Sequence, residues 1–140
     1  MTACAELADL ADRLARGTSD PREFLVALGR EAAGIRPGVI GVADLARGGR
    51  NTIPGRGMRA EFDDGTDGQV RHFAGIASAQ ERLGGRRTRQ LAIRLLGDAP
   101  DSADGRLSDA AIAFAEGVRD GSIPLTAAGA WIRDHVCGAS

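Results

Sequence analysis

Apolar residues spaced three and four apart, cut into short blocks by glycine and proline, constrain this chain more than any other feature. From Thr2 to Arg16, Ala3, Leu7, Leu10 and Leu14 fall on one helical stripe, with Asp9, Asp12 and Arg13 between them, and Gly17 ends the block. Asp20-Pro21-Arg22-Glu23 then supplies an N-cap, a proline at the first helical position and a glutamate at the third, a capping box with Asp in place of Ser or Thr. Phe24, Leu25, Leu28, Ala32 and Ile35 form the next stripe, closed by Gly34 and Pro37. Two such helices joined by a short turn predict an antiparallel hairpin.

The same pattern returns later in the chain. Thr66 or Asp67 is the expected cap of a helix that runs to Leu83 and stops at Gly84-Gly85, and a further helix is expected over Arg86 to Leu96, with Leu91 and Leu95 four apart. Ser108 reads as the cap of a helix carrying Ala111, Phe114, Ala115 and Val118 on one face, with Gly121 as its stop. Pro124 opens the last helix, in which Leu125, Ala128, Ile132 and Val136 point inward, and this pair too reads as a hairpin. Residues 38–66 break the pattern. Val39, Ile40, Val42 and Leu45 are too few to separate helix from strand, and a long connection rich in glycine and arginine follows. The expectation is an all-α fold of about six helices in one compact domain over residues 1–140, a bundle of helical hairpins with a Gly/Arg-rich loop at 38–66 and room for a short strand pair there.

With 140 residues the chain can bury a real core, and no run of apolar residues is long enough to cross a membrane. The N-terminal block carries Glu6, Asp9 and Asp12 where a signal peptide would be basic and then apolar, so a stand-alone cytoplasmic protein is expected. Cys4 and Cys137 then read as free thiols, with a bridge as the alternative in an oxidising setting. All 18 basic residues are arginine, consistent with a GC-rich bacterial coding bias. Residues 47–94 hold ten arginines against five acids, while the flanks hold eight against fourteen. Either the flanks neutralise the middle, or the middle docks an anionic partner.

Chemistry concentrates in Asp63-Asp64-Gly65-Thr66-Asp67-Gly68-Gln69-Val70-Arg71-His72-Phe73. At about 100° per residue, Val70, Phe73, Ala74 and Ala77 make one apolar face, and His72 stands among Gly75, Ile76 and Ala79 on the other. A helix with no continuous polar face is central, which carries His72 inward. There, burial lowers an imidazole pKa and the carboxylates of Asp63, Asp64 and Asp67 raise it. Two readings stay open: a general acid–base histidine oriented by one of these aspartates, or a core histidine beside a structural cap. Arg71, Arg56, Arg59, Arg86 and Arg87 are candidate anion-binding groups, of which Arg71 has an alternative role pairing with the acidic loop. Trp131 and His135, four apart on the last helix, either pack on each other or contact a ligand.

No paired metal ligands, calcium loop, Walker or dinucleotide pattern appears, so no metal or cofactor is expected. A pI of about 6.1 makes nucleic acid an unlikely partner. The Glu61–Asp64 and Gln69–Phe73 segments, with Trp131-Ile132-Arg133-Asp134-His135-Val136-Cys137, resemble small helical domains at the C-terminal ends of some bacterial RHS-type, polymorphic-toxin-like proteins. The resemblance implies that the Gln-Val-Arg-His-Phe helix is the functional core. The expected function is cofactor-independent acid–base chemistry at His72 on a peptide or small anionic substrate, under the 47–68 loop. The alternative is a helical adaptor, immunity or regulatory module docking an acidic partner through its basic middle third. No membrane partner is expected, and the alanine-faced first helix could pair with a second copy.

Overall fold

The computed structural model describes residues 1–84, 86–88 and 101–138. The chain folds all-α: α1 Ala3–Gly17, α2 Pro21–Ala33, α3 Ile40–Ala46, α4 Gln69–Leu83, α5 Ala103–Asp120 and α6 Ala128–His135, with single 3-10 turns at Ala60–Phe62 and Leu125–Ala127. Residues 86–88 are also helical. The expected helix positions at Arg89, Leu91, Arg94, Leu95 and Leu96 lie outside the described residues.

Local chemistry explains the boundaries. Thr2 Oγ1 accepts from Ala5 N to start α1, and Asp20 Oδ1 accepts from Arg22 N at 2.9 Å to start α2 before Pro21. Glu23 does not close the reciprocal half of a capping box; it accepts from Thr18 Oγ1 instead. Gly34, at φ 66°, ends α2 in the left-handed region that glycine enters without strain.

Two expected starts are corrected. α4 begins after Gly68, without a side-chain cap, since Thr66 and Asp67 are engaged in the preceding loop. α5 begins at Ala103, where Ser102 Oγ accepts from Gly105 N at 3.0 Å, so Ser108 lies inside the helix rather than at its cap.

α4 is the central helix, packed on α2 on one side and on α5 on the other, while α6 lies chiefly along α1. The last two helices therefore do not form a hairpin of their own. On α1, Ala8 and Ala11 are fully buried, while Ala5 and Ala15 are half-buried. Phe114 of α5 joins the layers, with ring centroids 5.5 Å from Phe73, 6.3 Å from Phe24 and 5.4 Å from Trp131.

Among the described residues no strand pair forms between 38 and 66. Residues 40–46 are helical, and isolated bridges join Gly55 to Gly68 and Met58 to Cys137. The glycine-rich stretch is laced onto the chain ends: Cys4 N donates to Arg56 O, Arg59 N to Val136 O and Gly138 N to Gly57 O. Gly57, at φ 115°, lies so close to Thr2 that an added Cβ would come within 2.6 Å of its hydroxyl. Cys4 and Cys137 are bonded to each other here, which overturns the expectation of free thiols. Among the described residues no helix is long and apolar enough to cross a membrane.

Candidate active site

The seam between α4 and α5 carries two short polar ladders. Gln69 and His72 are three apart on α4, and Asp104 and Ser108 are four apart on α5, so each pair shares one helix face. His72 Nε2 and Ser108 Oγ are 2.7 Å apart and share a hydrogen bond. The ring is half-buried, as its place in the helix leads one to expect, and Ser108 is only 3% exposed.

One turn earlier the aspartates gather on Gln69. Its Nε2 donates to Asp63 Oδ1 at 2.7 Å and to Asp64 Oδ1 at 3.1 Å. Asp64 Oδ1 also accepts from Thr66 N and Thr66 Oγ1. The Asp104 carboxyl on α5 faces the Asp64 carboxyl and helps hold its pKa down. Burial pushes the Asp64 carboxyl up, but the bonds from Asp104, Thr66 and Gln69 outweigh it and hold Asp64 well below the usual carboxylate range. Although Asp64 is exposed over much of its surface, this oxygen meets the amide of the fully buried Gln69, which reconciles the burial effect with the exposure. Asp63 is also lowered, first by the Gly65 N–H, then by Arg56 and Gln69.

Gln69 is fully buried, and its Oε1 has no hydrogen-bond partner among the described residues. The two carboxylates on Nε2 fix which end of the amide is which, so the orphan is an acceptor. An unmet buried acceptor costs about 1–3 kcal/mol. Ser78 Oγ and Gln80 Oε1, further along α4, are unmet as well.

The remaining candidates divide. Arg71 is exposed, with its guanidinium curled over Gly68, and makes no ion pair among the described residues, contrary to the alternative in which it neutralises the acidic loop. Arg56 is paired with Asp63 at 2.8 Å, and the exposed Arg59 donates from Nη2 to the Asp134 carbonyl. Arg86 and Arg87 are exposed. Asp67 contributes its backbone carbonyl, which accepts from Gly55 N and Asn51 Nδ2, and anchors the loop there. Trp131 and His135 stack with centroids 4.5 Å apart and planes 17° from parallel, on the helix that packs against α1. Their mutual packing is the observed arrangement, and the sequence does not unite them with the α4–α5 cluster.

Three members of the cluster escape a reading of the sequence: Gln69, Asp104 and Ser108. The available signals were the three-residue step from Gln69 to His72 and the four-residue step from Asp104 to Ser108. Among the described residues no group of three His, Cys, Asp or Glu side chains is placed to hold a metal ion. Neither family models, curated proteins nor solved structures match this chain.

Proposed function

We propose that this protein is a cofactor-independent acid–base enzyme acting on a peptide or small anionic substrate, with His72 as the group that gives and takes the proton. The observation that carries the reading is the 2.7 Å bond between His72 Nε2 and Ser108 Oγ, beside the Asp64–Asp104 carboxyl pair on the same helix seam. A half-buried imidazole held by a buried hydroxyl is preorganised for proton transfer, because its ring plane is set before a substrate arrives. Ser108 is a positioning residue here, since 3% exposure keeps its hydroxyl from a substrate carbonyl. Arg71, exposed on the same helix, offers a cation for an anionic group. The likeness of the Gln69–Phe73 segment to RHS-type domains points to the same helix. The Cys4–Cys137 bridge fits an oxidising compartment better than the cytoplasm, where thiols are kept reduced.

The test is a screen of peptides and small carboxylates with the oxidised protein, followed by variants. His72→Gln, folded by circular dichroism, is expected to lower the activity by about 10²–10⁴-fold. Ser108→Ala is expected to retain part of it with a displaced pH profile. An activity that His72→Gln leaves intact contradicts the reading.

A second reading, a non-enzymatic module that docks an acidic partner, is favoured by one observation. Arg47, Arg50, Arg71, Arg86 and Arg87, all exposed in the basic middle of the chain, make no ion pair among the described residues. It requires an affinity that falls with added salt.

A further inference from the structure

Among the described residues, the exposed large aliphatic side chains apart from Met1 lie in one place: Val39, Ile40 and Val42 are 90%, 51% and 54% exposed, at the start of α3. Successive steps of about 100° put Val39, Val42, Ala43 and Ala46 on the outward side of this helix, and Gly41, Asp44 and Leu45 inward. Ala43 and Ala46 are exposed in agreement. The inward side is fixed. Arg36 holds Asp44 with three hydrogen bonds of 2.9 Å, and Arg82 donates to the carbonyls of Arg36 and Gly38. Gly41 meets Arg82 and the Arg36 carbonyl so closely that no Cβ would fit. The apolar side chains thus project from an anchored helix.

Asp44 of α3 and Arg47 and Arg50 beyond it line, with Gly34, Arg36 and Gly49, a cavity of about 400 Å³. Arg36 and Asp44 pair with each other there, and among the described residues Arg47 and Arg50 make no ion pair. A projecting aliphatic tip needs a yielding apolar medium, and adjacent uncompensated guanidinium groups need anions at its edge. An anionic bilayer surface supplies both, with acyl chains below a layer of phosphates. Side chains standing 51–90% exposed suit insertion into a lipid surface better than a fitted contact with a folded acidic partner.

We propose that α3 is a peripheral docking element that seats Val39, Ile40 and Val42 in the headgroup region of an anionic phospholipid surface, with Arg47 and Arg50 on lipid phosphates. This is independent of the His72 reading, whose failure would leave it untouched.

The experiment is co-sedimentation of the oxidised protein with vesicles of phosphatidylcholine alone and of phosphatidylcholine mixed with phosphatidylglycerol. Binding is expected to the mixed vesicles and not to the neutral ones. Val39→Asp and Val42→Asp, both at exposed positions, are expected to weaken it about tenfold each. Arg47→Ala with Arg50→Ala is expected to weaken it by about tenfold or more together. Free phosphatidylglycerol headgroup (glycerol phosphate) should not compete, which separates a lipid surface from a simple phosphate site. Wild type left in the supernatant of mixed vesicles overturns the proposal, as does binding that the Val39→Asp and Val42→Asp variants retain in full. Concentration-dependent dimerisation lost in Val39→Asp, without vesicle binding, would assign the face to a second copy and overturn it equally.

Discussion

Cys4, in the first turn of α1, and Cys137, just past the end of α6, are bonded across 133 residues of chain with Cα atoms 5.6 Å apart. The bridge ties together the two helices that pack along each other and fastens the Met58 to Cys137 contact of the loop. Closing a loop of this length removes denatured-state entropy worth at most about 5 kcal/mol on the chain-entropy model.

Reduction, or Cys4→Ser with Cys137→Ser, is therefore expected to lower the thermal midpoint by on the order of 10 °C. Scanning calorimetry with and without reductant measures it. An unchanged midpoint would mean that the bridge does not constrain the native pair.

Gly29 on α2 is the point where the central helix comes closest to its neighbour. A Cβ there would lie 2.5 Å from Ser78 Cβ and 2.6 Å from Ser78 Oγ on α4. Gly29→Ala forces the helices apart and is expected to cost about 1–3 kcal/mol. Urea denaturation would register this as a lower midpoint at constant slope, whereas Gly17→Ala, at a position with nothing within 4 Å, should not show such a clash.

Asp44 gives the anchoring of α3 a pH dependence. Hydrogen bonds from the Arg36 side chain and backbone hold its carboxyl down, from an ordinary value of 3.8 to about 2. A depressed carboxylate stabilises the fold above its unfolded pKa and loses that contribution as pH falls through the folded one. The anchor is thus complete above about pH 4 and released as pH falls towards 2. Chemical shifts of Val42 and Ala43 should move over that window in the wild type. In Asp44→Asn the same window should be flat.

How much of this could be read beforehand differs by residue. α1 and α2 were legible because Thr2, Asp20, Pro21, Gly17 and Gly34 act within one turn of the ends they define. The start of α5 was not, since Ser102 and Ser108 both have the chemistry of a cap and only the packing of Leu107 and Ser108 into the core decides between them. His72 was legible as an inward-facing histidine from its own helix. Its partner was hidden because Ser108 lies 36 residues away and belongs to it only through the crossing of α4 and α5. The aspartates were correctly placed near the helix entrance, but Gln69 gathers them, a role no spacing rule assigns. The bridge was missed because a preference for free thiols rests on compartment, while the meeting of α1 with α6 rests on the tertiary fold.

The most direct test of the central claim is the ring nitrogen NMR spectrum of His72 in the wild type and in Ser108→Ala. The account predicts that the Nε2 signal and its titration change when the hydroxyl is removed, while those of His135, stacked on Trp131, stay as they are. A His72 ring whose signals and titration are the same in both proteins would show that Ser108 does not hold it, and would contradict the proton-transfer site built on that bond.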